Sequence, residues 1–422
     1  MRHRLPRQLL PDTATVGRDG RLSVGGVDMV ALAEELGTPL FVYDEAHLRA
    51  RCREAVAAFG DGVAYGSKAF LCLAMARLAH EEGMRVDVAT GGELHVVLAA
   101  GVPPECIVLH GNNKSPDELR RAHGLGVRVV VDSFDELARL QALYEETGLA
   151  TRVMVRVTPG VEAHTHEYVM TGQTDSKFGL GLASGDAARA VEHARLHPAF
   201  DLVGIHAHIG SQIFLLRSFE KAVDVLAGFV EPLDVDELCL GGGLGVPYVE
   251  GEEAPTITEW ADVLHAACTA AGITAHVTVE PGRAIAAAAA LTLYRVGTVK
   301  EIPGVRTYVS VDGGMSDNPR PVLYGSGYEA FLPRVTLAER PRTVTVVGKH
   351  CESGDVVVRD AHVPEDLRVG DVLCTPVTGA YGHSMASNYN KVPRPQVVFV
   401  ADGNVRTVVR RETLDDLLRL DT

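Results

Sequence analysis

The chain has 422 residues, of which 46% are apolar and 23% are charged, so it is not an intrinsically disordered chain, a collagen-like repeat or a bare coiled coil. Its 40 basic and 55 acidic residues give a formal net charge of −15, which argues against a protein that binds nucleic acid by bulk charge. An anionic substrate would need local arginines to overcome this negative field.

The cysteine pattern predicts a reducing compartment. The seven cysteines are an odd number and include no Cys-x-x-Cys pair, so we expect free thiols rather than a disulfide framework or a zinc ribbon. The basic residues 1–12 lack the apolar segment of a secretory signal, and the longest apolar run, Ala284–Leu291, is too short to cross a bilayer. We therefore expect a cytoplasmic protein without a membrane partner.

Hydrophobic periodicity predicts the elements in chain order. Strand-like pieces at Arg21–Val24 and Leu40–Tyr43 come first, and short apolar runs then alternate with amphipathic helical runs. Ser115 and Ser133 each precede a glutamate by three positions at the start of a helix, which predicts a capping box at both. The strands predicted from buried, β-branched runs are Val63–Ser67, Arg85–Ala89, Cys106–His110, Arg128–Asp132, Arg152–Val157, Leu202–His208, Glu237–Leu240 and Ala275–Glu280.

Eight β/α units in about 220 residues predict an α/β fold with a closed (β/α)8 barrel, and an open doubly wound sheet is the competing fold. From Leu291 onward helical periodicity disappears until the last residues, and strand-like segments separated by Gly, Pro and Asp turns predict an all-β domain. We therefore expect an N-terminal segment over residues 1–36 that contributes to the β-domain, a barrel over 37–290 and the β-domain over 291–422.

Lys68 follows the first predicted strand. The active sites of (β/α)8 barrels lie at the carboxyl ends of the strands, so residues at these ends are candidates for chemistry. The neighbours of Lys68 are apolar, and burial there would favour an uncharged amine, the nucleophile needed for a Schiff base. A rim lysine whose head group reaches water explains the same position equally well.

Two histidines mark the sixth predicted strand. His206 and His208 would share one face of a strand, a geometry that suits zinc and makes a barrel metallohydrolase a candidate. Such a site needs further His, Lys and Asp ligands at later strand ends, where this sequence has Gly241–Gly245 and Glu280–Arg283 instead. We therefore favour a site without metal, in which the His208 ring stacks on a planar cofactor and His206 is structural.

The last two barrel strands lead into segments that suit a phosphorylated ring cofactor. Gly241, Gly242 and Gly243 allow backbone N–H groups to approach a phosphate, although a plain tight turn also explains them. Glu280 can pair with a protonated ring nitrogen, and Arg283 can bind a phosphate or a carboxylate with two nitrogens. The alternative is an ion pair between these two residues that closes the barrel.

The predicted β-domain contributes a thiol, a carboxylate, an arginine and two phenols. Cys351 and Glu352 stand in a polar, glycine-containing turn, where a cysteine can act as an acid or a base rather than as an inert core residue. Arg320 and Tyr324 belong to a long polar loop, and Tyr381 stands close to two glycines. Taken alone, each loop is an ordinary surface loop. Together with the strand-end residues they form the set that pyridoxal phosphate (PLP) chemistry needs.

The sequence resembles the diaminopimelate decarboxylase family of fold-type III (alanine-racemase-like) PLP enzymes. The matching segments occur in order over almost the whole chain, so coincidence is negligible. They are YGSKA (65–69), HGNNK (110–114), VTPGVEAHTHEY (157–168), DSKFGL (175–180), HAHIGSQ (206–212), GGGLG (241–245), EPGR (280–283), VDGGMSDNPRPVLYG (311–325), CESGD (351–355) and GAYGHSMASNYN (379–390). The resemblance implies a PLP-binding (β/α)8 TIM barrel with a C-terminal β-domain. It also implies decarboxylation of meso-2,6-diaminopimelate to L-lysine and CO2, the last step of lysine biosynthesis.

The resemblance further implies a role for each candidate residue. Lys68 holds PLP as a Schiff base, the His208 ring stacks on it, and Glu280 pairs with its ring nitrogen. The residues around the phosphate are Ser211, Gly241, Gly242, Gly243, Gly282, Arg283 and Tyr381. The residues that bind the substrate are Arg283, Arg320, Tyr324, Tyr381 and, on the distal amine, Glu352. In this family Cys351, which protonates Cα, reaches with Glu352 into the neighbouring subunit's site, so the implied unit is a homodimer.

Alternatives with the same cofactor stay open. A paralogue in specialised metabolism could decarboxylate ornithine, lysine or arginine, and Leu215–Arg217 and His383 depart from the family's usual residues. Arg320 instead favours a substrate with a distal carboxylate. A racemase would need an opposing base, commonly tyrosine, where Cys351 stands. A catalytically silent PLP-binding regulator is opposed by the presence of both Lys68 and Cys351.

Overall fold

The computed structural model of the chain describes residues 5–160 and 176–422, so the matching segments 157–168 and 175–180 lie partly outside the described residues. The chain divides into two units. The unit called here the β-unit comprises the chain up to Ala50 with Val246–Glu253 and Ile285–Thr422, and the barrel unit comprises Arg51–Gly245 and Ala254–Ala284. The bounds predicted for the barrel, 37–290, differ from this division, because Leu40–Asp44 and Val246–Glu253 belong to the β-unit.

The part of the chain before the barrel contains a small antiparallel sheet, one strand of a larger sheet and two helices. Its elements are β1 (Thr15–Val16), β2 (Leu22–Val24), β3 (Val27–Asp28), α1 (Met29–Leu36), β4 (Leu40–Asp44) and α2 (Glu45–Phe59). β1, β2 and β3 pair in that order. Asp28 caps α1, because its side chain accepts a hydrogen bond from the Ala31 N–H at 2.7 Å.

The barrel unit alternates short parallel strands with helices. Its elements are β5 (Ala64–Gly66), α3 (Leu73–Glu81), β6 (Arg85–Val88), α4 (Gly91–Ala99), β7 (Ile107–Leu109), α5 (Pro116–Leu125), β8 (Arg128–Val131), α6 (Phe134–Thr147), β9 (Thr151–Thr158), β10 (Leu180–Gly181), α7 (Asp186–Leu196), β11 (Phe200–His206), α8 (Arg217–Val230), β12 (Glu237–Cys239), α9 (Ile257–Ala270) and β13 (His276–Thr278). The strands pair in chain order, β5-β6-β7-β8-β9-β11-β12-β13, and β10 lies beside β9.

Backbone hydrogen bonds between the first and last strands close the barrel. The Ala64 N–H donates to the Val279 carbonyl at 2.9 Å, and the Gly66 N–H donates to the Pro281 carbonyl at 3.1 Å. Val63 and Val279 form the parallel bridge between the two edges. The predicted (β/α)8 barrel is therefore confirmed, and the open sheet is wrong.

The inside of the barrel changes character along its axis. At the amino ends of the strands, Arg128 Nη1 lies 2.7 and 2.8 Å from the two carboxylate oxygens of Glu237, and both side chains are buried. A buried charge needs such a close partner, because removing an ion from water costs several kcal/mol. The middle of the barrel is an apolar cluster of Val108, Val130, Met154, Val203 and Cys239. A charged pair fills the amino end and apolar side chains fill the middle, so a functional site must lie at the carboxyl ends of the strands.

The β-unit is built on a sheet that incorporates the N-terminal strand β4. The elements after β13 are α10 (Arg283–Ala286), β14 (Ala290–Ile302), β15 (Arg306–Val311), α11 (Arg320–Tyr324), β16 (Arg342–Val347), β17 (Val356–Val363), β18 (Val372–Pro376), β19 (Gln396–Ala401) and β20 (Asn404–Val409). The strand order is β17-β16-β15-β14-β4-β19-β20, with β18 beside β14. β4 is thus a central strand, antiparallel to β14 and parallel to β19. The predicted all-β domain is confirmed.

The two predicted capping boxes have different outcomes. At the start of α5, Ser115 Oγ accepts from the Glu118 N–H at 3.2 Å and the Glu118 carboxylate accepts from the Ser115 N–H at 2.8 Å, as predicted. At the start of α6, Ser133 caps the helix, but Glu136 does not reach back to it. The Glu136 carboxylate instead accepts from the buried Lys114 ammonium at 2.8 Å, because a buried cation needs an anionic partner. No helix in residues 5–160 and 176–422 is long and apolar enough to cross a bilayer.

Gly204 tests the register of β11 on β12. A Cβ atom at this position would lie 2.0 Å from the carbonyl oxygen of Glu237, its partner on β12. We expect Gly204→Ala to lower the free energy of unfolding by about 1–3 kcal/mol, because the extra carbon forces the strands apart. Urea unfolding monitored by circular dichroism measures this change.

The control is Gly228→Ala in α8, where a Cβ atom would meet nothing within 4 Å. This variant should gain about 0.5–1 kcal/mol, since alanine favours a helix over glycine. Equal effects of the two substitutions would contradict the observed register.

Candidate active site

Lys68 lies at the mouth of the barrel, on the single turn Ser67–Ala69 that follows β5. The Tyr65 hydroxyl donates to the Phe70 carbonyl at 2.8 Å and ties the two ends of this turn together. The Lys68 side chain is exposed although its neighbours in the turn are buried. Of the two alternatives for Lys68, the structure agrees with a lysine whose head group reaches water, because the turn keeps the amine accessible from the barrel mouth.

Glu280, which follows β13, contacts histidines from two other strand ends. Its Oε1 lies 2.9 Å from His110 Nε2, and its Oε2 lies 3.0 Å from His206 Nε2. The two imidazole rings meet edge to face with centroids 4.9 Å apart. Asp87 of β6 lies 3.6 Å from the same His110 nitrogen. The barrel mouth thus joins two carboxyl groups and two imidazoles in one contact network.

Burial and pairing set the charges in this network. Burial alone would raise the pKa of Glu280, but the charges and hydrogen bonds of His110 and His206 hold it well below its usual range. Burial lowers the pKa of His206 to about 4 against the opposing effect of Glu280, so this ring is neutral at pH 7. Burial also disfavours a charged His110, yet Asp87 and Glu280 raise its pKa. Burial raises the pKa of Asp87 to about 7. The network therefore favours an ionised Glu280 beside a protonated His110.

The two histidines predicted to share a strand face do not do so. β11 ends at His206, so His208 lies beyond the strand, where its Nδ1 accepts a hydrogen bond from the Gly242 N–H at 3.1 Å. Burial, and then the charge of Lys68, lowers the pKa of His208 well below the ordinary value, so its ring is neutral. The zinc-binding geometry proposed for this pair is wrong. In residues 5–160 and 176–422, the group whose ligand atoms lie within 4.8 Å of one another is His110, His206 and Glu280, which does not include His208.

Gly241, Gly242 and Gly243 line the end of β12 with backbone alone. A Cβ atom on Gly242 would lie 2.3 Å from the Glu280 carbonyl oxygen, and one on Gly243 would lie 2.2 Å from the Gly210 carbonyl oxygen. Gly241 and Gly243 also have φ values of +68° and +107°, which favour glycine. Gly243 is partly exposed, so its backbone is accessible to a bound group, as a phosphate cradle requires.

Arg283, Ser211 and Gly282 lie around the same strand ends. The buried Arg283 guanidinium donates to Ser211 Oγ at 2.8 Å. A Cβ atom on Gly282 would lie 2.6 Å from the Gly66 carbonyl oxygen, so glycine is needed for the first and last strands to approach. Glu280 bonds to the two histidines and Arg283 to Ser211, so each group of the predicted closing ion pair has another partner. A guanidinium beside a hydroxyl and glycine backbone is a donor set that suits a phosphate.

In the β-unit, two tyrosines hold the buried Arg320. Its Nη1 donates to the Tyr328 hydroxyl at 2.6 Å, and its guanidinium carbon lies 4.3 Å from the centroid of the Tyr248 ring. Burial alone would lower the pKa of Arg320, but the two tyrosines raise it, so the group stays charged. Tyr324, at the end of α11, is half-buried. The planar guanidinium is therefore oriented in advance for a carboxylate.

The loop before Arg320 is buried rather than an ordinary surface loop. The Asp317 carboxylate accepts a hydrogen bond from the buried Tyr294 hydroxyl at 2.5 Å. Asp355 accepts from the N–H groups of Met315 and His350 at 2.7 and 2.8 Å. These carboxylates fix the backbone that leads into α11, which the sequence pattern alone did not show.

The turn that carries Cys351 and Glu352 is exposed. The Cys351 N–H donates to the Asn390 side chain at 3.2 Å, and the Tyr389 hydroxyl donates to the Glu352 carboxylate. All seven cysteines are free thiols. Tyr381 is half-buried and has a φ of +60°, in the left-handed region. Within the β-unit, therefore, the thiol and the carboxylate both face outward.

Sequence reasoning missed four residues of these two clusters. They are Asp87 and His110 in the barrel unit and Tyr248 and Tyr328 in the β-unit. His110 directly follows β7, so the rule that placed Lys68 at a strand end would also have found it. Tyr248 is 72 residues before Arg320 in the chain, so no local pattern links the two, whereas Tyr328 is only eight residues after Arg320 and stood outside the motifs considered.

Comparisons with known proteins agree on one family. Residues 45–287 match the family described as "Pyridoxal-dependent decarboxylase, pyridoxal binding domain". The chain is 48% identical to diaminopimelate decarboxylase of Mycobacterium tuberculosis over 97% of both chains, and 46% identical to that of Bacillus subtilis over 98% of both. A crystal structure of diaminopimelate decarboxylase from M. jannaschii with L-lysine matches with a TM-score of 0.90 and 34% identity, over 97% of this chain and 98% of that one.

The neutral state of His206 predicts a pH-dependent stability. An unfolded histidine titrates near pH 6.5, whereas folded His206 has a pKa of about 4. Between these values the unfolded chain binds a proton that the folded chain does not, so the free energy of unfolding falls as the pH falls, by up to about 1.4 kcal/mol per unit. In His206→Gln, which keeps a neutral N–H donor, this part of the slope should vanish. Urea unfolding between pH 7 and pH 4 measures both slopes, and an unchanged slope would contradict a neutral His206.

Proposed function

The chain belongs to the diaminopimelate decarboxylase family of pyridoxal-dependent enzymes, and on this premise we propose that the barrel mouth decarboxylates meso-2,6-diaminopimelate to L-lysine and CO2. Its cofactor is PLP, and the reaction is the last step of lysine biosynthesis. One observation carries the assignment of the site. An accessible lysine, a carboxylate between two imidazoles, a glycine-lined backbone and a buried arginine all lie at the carboxyl ends of strands of one closed barrel.

The residues that would hold the cofactor are those at the barrel mouth. We assign the covalent attachment to the Lys68 amine, and the phosphate to Ser211, Gly241–Gly243, Gly282 and Arg283, with Tyr381 from the β-unit. The partly exposed backbone of Gly243 and a buried guanidinium beside Ser211 support this assignment. The chemistry that the cofactor supplies when bound is an electron sink for the pair left when CO2 departs.

Glu280 and His208 would both act on the cofactor ring in this proposal. The ionised Glu280 carboxylate would accept a hydrogen bond from the ring nitrogen and would so keep the proton on that atom. The neutral His208 imidazole offers a flat face for stacking, and its Nδ1 is oriented by the Gly242 N–H. The residues present thus fit a protonated ring with a phosphate.

Recognition of the substrate's distal end is assigned to the β-unit. Arg320 and Tyr324 bind the distal carboxylate together with Arg283 and Tyr381, and Glu352 binds the distal ammonium. The preset, charged guanidinium of Arg320 supports this assignment, because a simple diamine precursor such as ornithine offers it no carboxylate. We therefore favour meso-diaminopimelate over the ornithine-type and lysine-type substrates.

We assign the final proton transfer to Cys351. After CO2 leaves, Cα needs one proton, and the Cys351 thiol donates it and becomes a thiolate. We propose that Cys351 and Glu352 serve the site of the neighbouring subunit, in a homodimer with shared active sites. The outward orientation of both residues in the β-unit supports this. A cytoplasmic location agrees with seven free thiols, one of which must stay reduced for turnover.

Substrate preference and the role of Arg320 can be measured together. The native enzyme should release CO2 faster from meso-diaminopimelate than from L-ornithine or L-lysine. Arg320→Lys should raise KM for meso-diaminopimelate by about 10- to 100-fold, because a two-nitrogen charged hydrogen bond is lost. The control is Arg306→Lys, since Arg306 also contacts a hydroxyl, Thr345 Oγ1, and a tyrosine ring, that of Tyr308.

Faster turnover of ornithine by the native enzyme would overturn the assigned substrate. An equal rise in KM in the Arg320 and Arg306 variants would remove Arg320 from the substrate site.

Shared active sites predict complementation between two inactive variants. Lys68→Ala and Cys351→Ala should each be close to inactive as pure proteins. Unfolding and refolding them together in equal amounts should restore about a quarter of native activity, because half of the dimers are mixed and each mixed dimer has one intact site. No recovery, with mixed dimers shown by mass spectrometry, would contradict sites built from two subunits.

A further inference from the structure

The proposed function assigns no role to the side chains of His110 and Asp87, yet both lie at the barrel mouth beside Glu280. His110 Nε2 is 2.9 Å from Glu280 Oε1 and 3.6 Å from Asp87 Oδ1, so one ring nitrogen faces two carboxyl groups. The His110 side chain is only 9% exposed, and those of Asp87 and Glu280 are 15% and 10% exposed. Three groups from three strand ends thus form a compact and nearly dry cluster.

His206 contacts the same carboxylate but is electrostatically different. Its Nε2 lies 3.0 Å from Glu280 Oε2, and no second carboxyl group of the described residues bonds to it. The His206 ring is neutral, whereas Asp87, 3.6 Å from His110 Nε2, favours the protonated form of His110. Glu280 therefore meets a neutral ring on one oxygen and, on the other, a ring whose pKa its carboxyl neighbours raise.

A protonated His110 matters because Glu280 is almost out of contact with water. A carboxyl group in such a place takes up a proton unless a nearby positive charge compensates for the lost hydration. A protonated Glu280 would no longer accept the hydrogen bond that keeps a proton on the cofactor's ring nitrogen. The charge state of His110 therefore determines whether Glu280 is ionised and can accept a hydrogen bond from the ring nitrogen.

We propose that His110 is a positioning residue that, with Asp87 behind it, supplies the positive charge that keeps Glu280 an oriented carboxylate facing the ring nitrogen of PLP. This inference deepens the proposed function and rests on it. The charged and titratable groups that act on His110 from the surrounding strands are Asp87, Glu280, His206 and Arg156, and those that act on Asp87 also include Lys68 and Glu93.

The test makes the same substitution at His110 and at His206 and measures the protonation of the cofactor's ring nitrogen directly. His110→Gln and His206→Gln each keep an N–H donor near the original Nε2, but only the first removes a charge. The protein is loaded with PLP labelled with 15N at the ring, and the 15N chemical shift is followed against pH without substrate. We expect the apparent pKa of the ring nitrogen to fall by about one unit or more in His110→Gln, which is a tenfold fall in the ratio of protonated to unprotonated nitrogen, and by much less in His206→Gln.

The kinetic expectation follows from the weaker protonation of the ring nitrogen. In His110→Gln, kcat should fall by about tenfold while KM stays within about twofold, because ring protonation acts on the reaction rather than on substrate binding. The matched control is His123→Gln, a buried histidine of the barrel unit bonded to Thr151 and Thr147, which should leave the 15N shift unchanged.

The possible results separate this inference from the proposed function. A native 15N titration in His110→Gln, or equal shifts in the His110 and His206 variants, would overturn the positioning role. If His110→Gln does not fold, Asp87→Asn tests the same charge and should shift the ring nitrogen in the same direction by a smaller amount; an unchanged titration there overturns the inference. A native protein that takes up no PLP would instead overturn the proposed function itself.

Discussion

The closure of the barrel by backbone hydrogen bonds is the constraint on which the site depends. Lys68 follows the first strand and Glu280 follows the last, and the bonds Ala64 to Val279 and Gly66 to Pro281 bring these distant segments to one mouth. Closure requires backbones without side chains at the contact. A Cβ atom on Gly66 would lie 3.3 Å from the Glu280 carbonyl oxygen, and one on Gly282 would lie still closer to Gly66. These glycines are explained by strand packing before any bound group is considered.

Charge inside the barrel is balanced locally at each end. The Arg128 and Glu237 pair neutralises the amino end, and the apolar cluster in the middle separates it from the network around Glu280. The negative charge of the carboxylates at the barrel mouth must therefore be balanced there. The balancing groups are imidazoles, whose charge depends on their neighbours. Burial alone would leave a neutral carboxyl group at position 280, whose protonated oxygen would donate a hydrogen bond. Pairing reverses that outcome and gives the site a fixed negative charge.

Much of the fold was predictable because strands buried on both faces are continuous apolar runs, and each predicted barrel strand matches an observed one within a few residues. One difference in a strand boundary changes the chemistry. The strand predicted to end at His208 ends at His206, so His206 contacts Glu280 and His208 accepts from the Gly242 N–H. The exposure of Lys68 depends on the direction of a turn, and the bond between Lys114 and Glu136 depends on tertiary packing. Local sequence patterns predict neither the turn direction nor this bond. The role of His110 stayed hidden because its carboxylate partners come from other strands.

The attachment of the cofactor to Lys68 is the claim on which the catalytic account depends most directly. Lys68 is exposed at the barrel mouth, whereas Lys114, which follows β7, is buried and bonded to Glu136. The direct measurement is borohydride reduction of the PLP-loaded protein, followed by digestion and mass spectrometry of the lysine that carries the added mass. The account predicts a single modified peptide containing Lys68, with one label per chain. Modification of Lys114 or another lysine, or no modification, would contradict it.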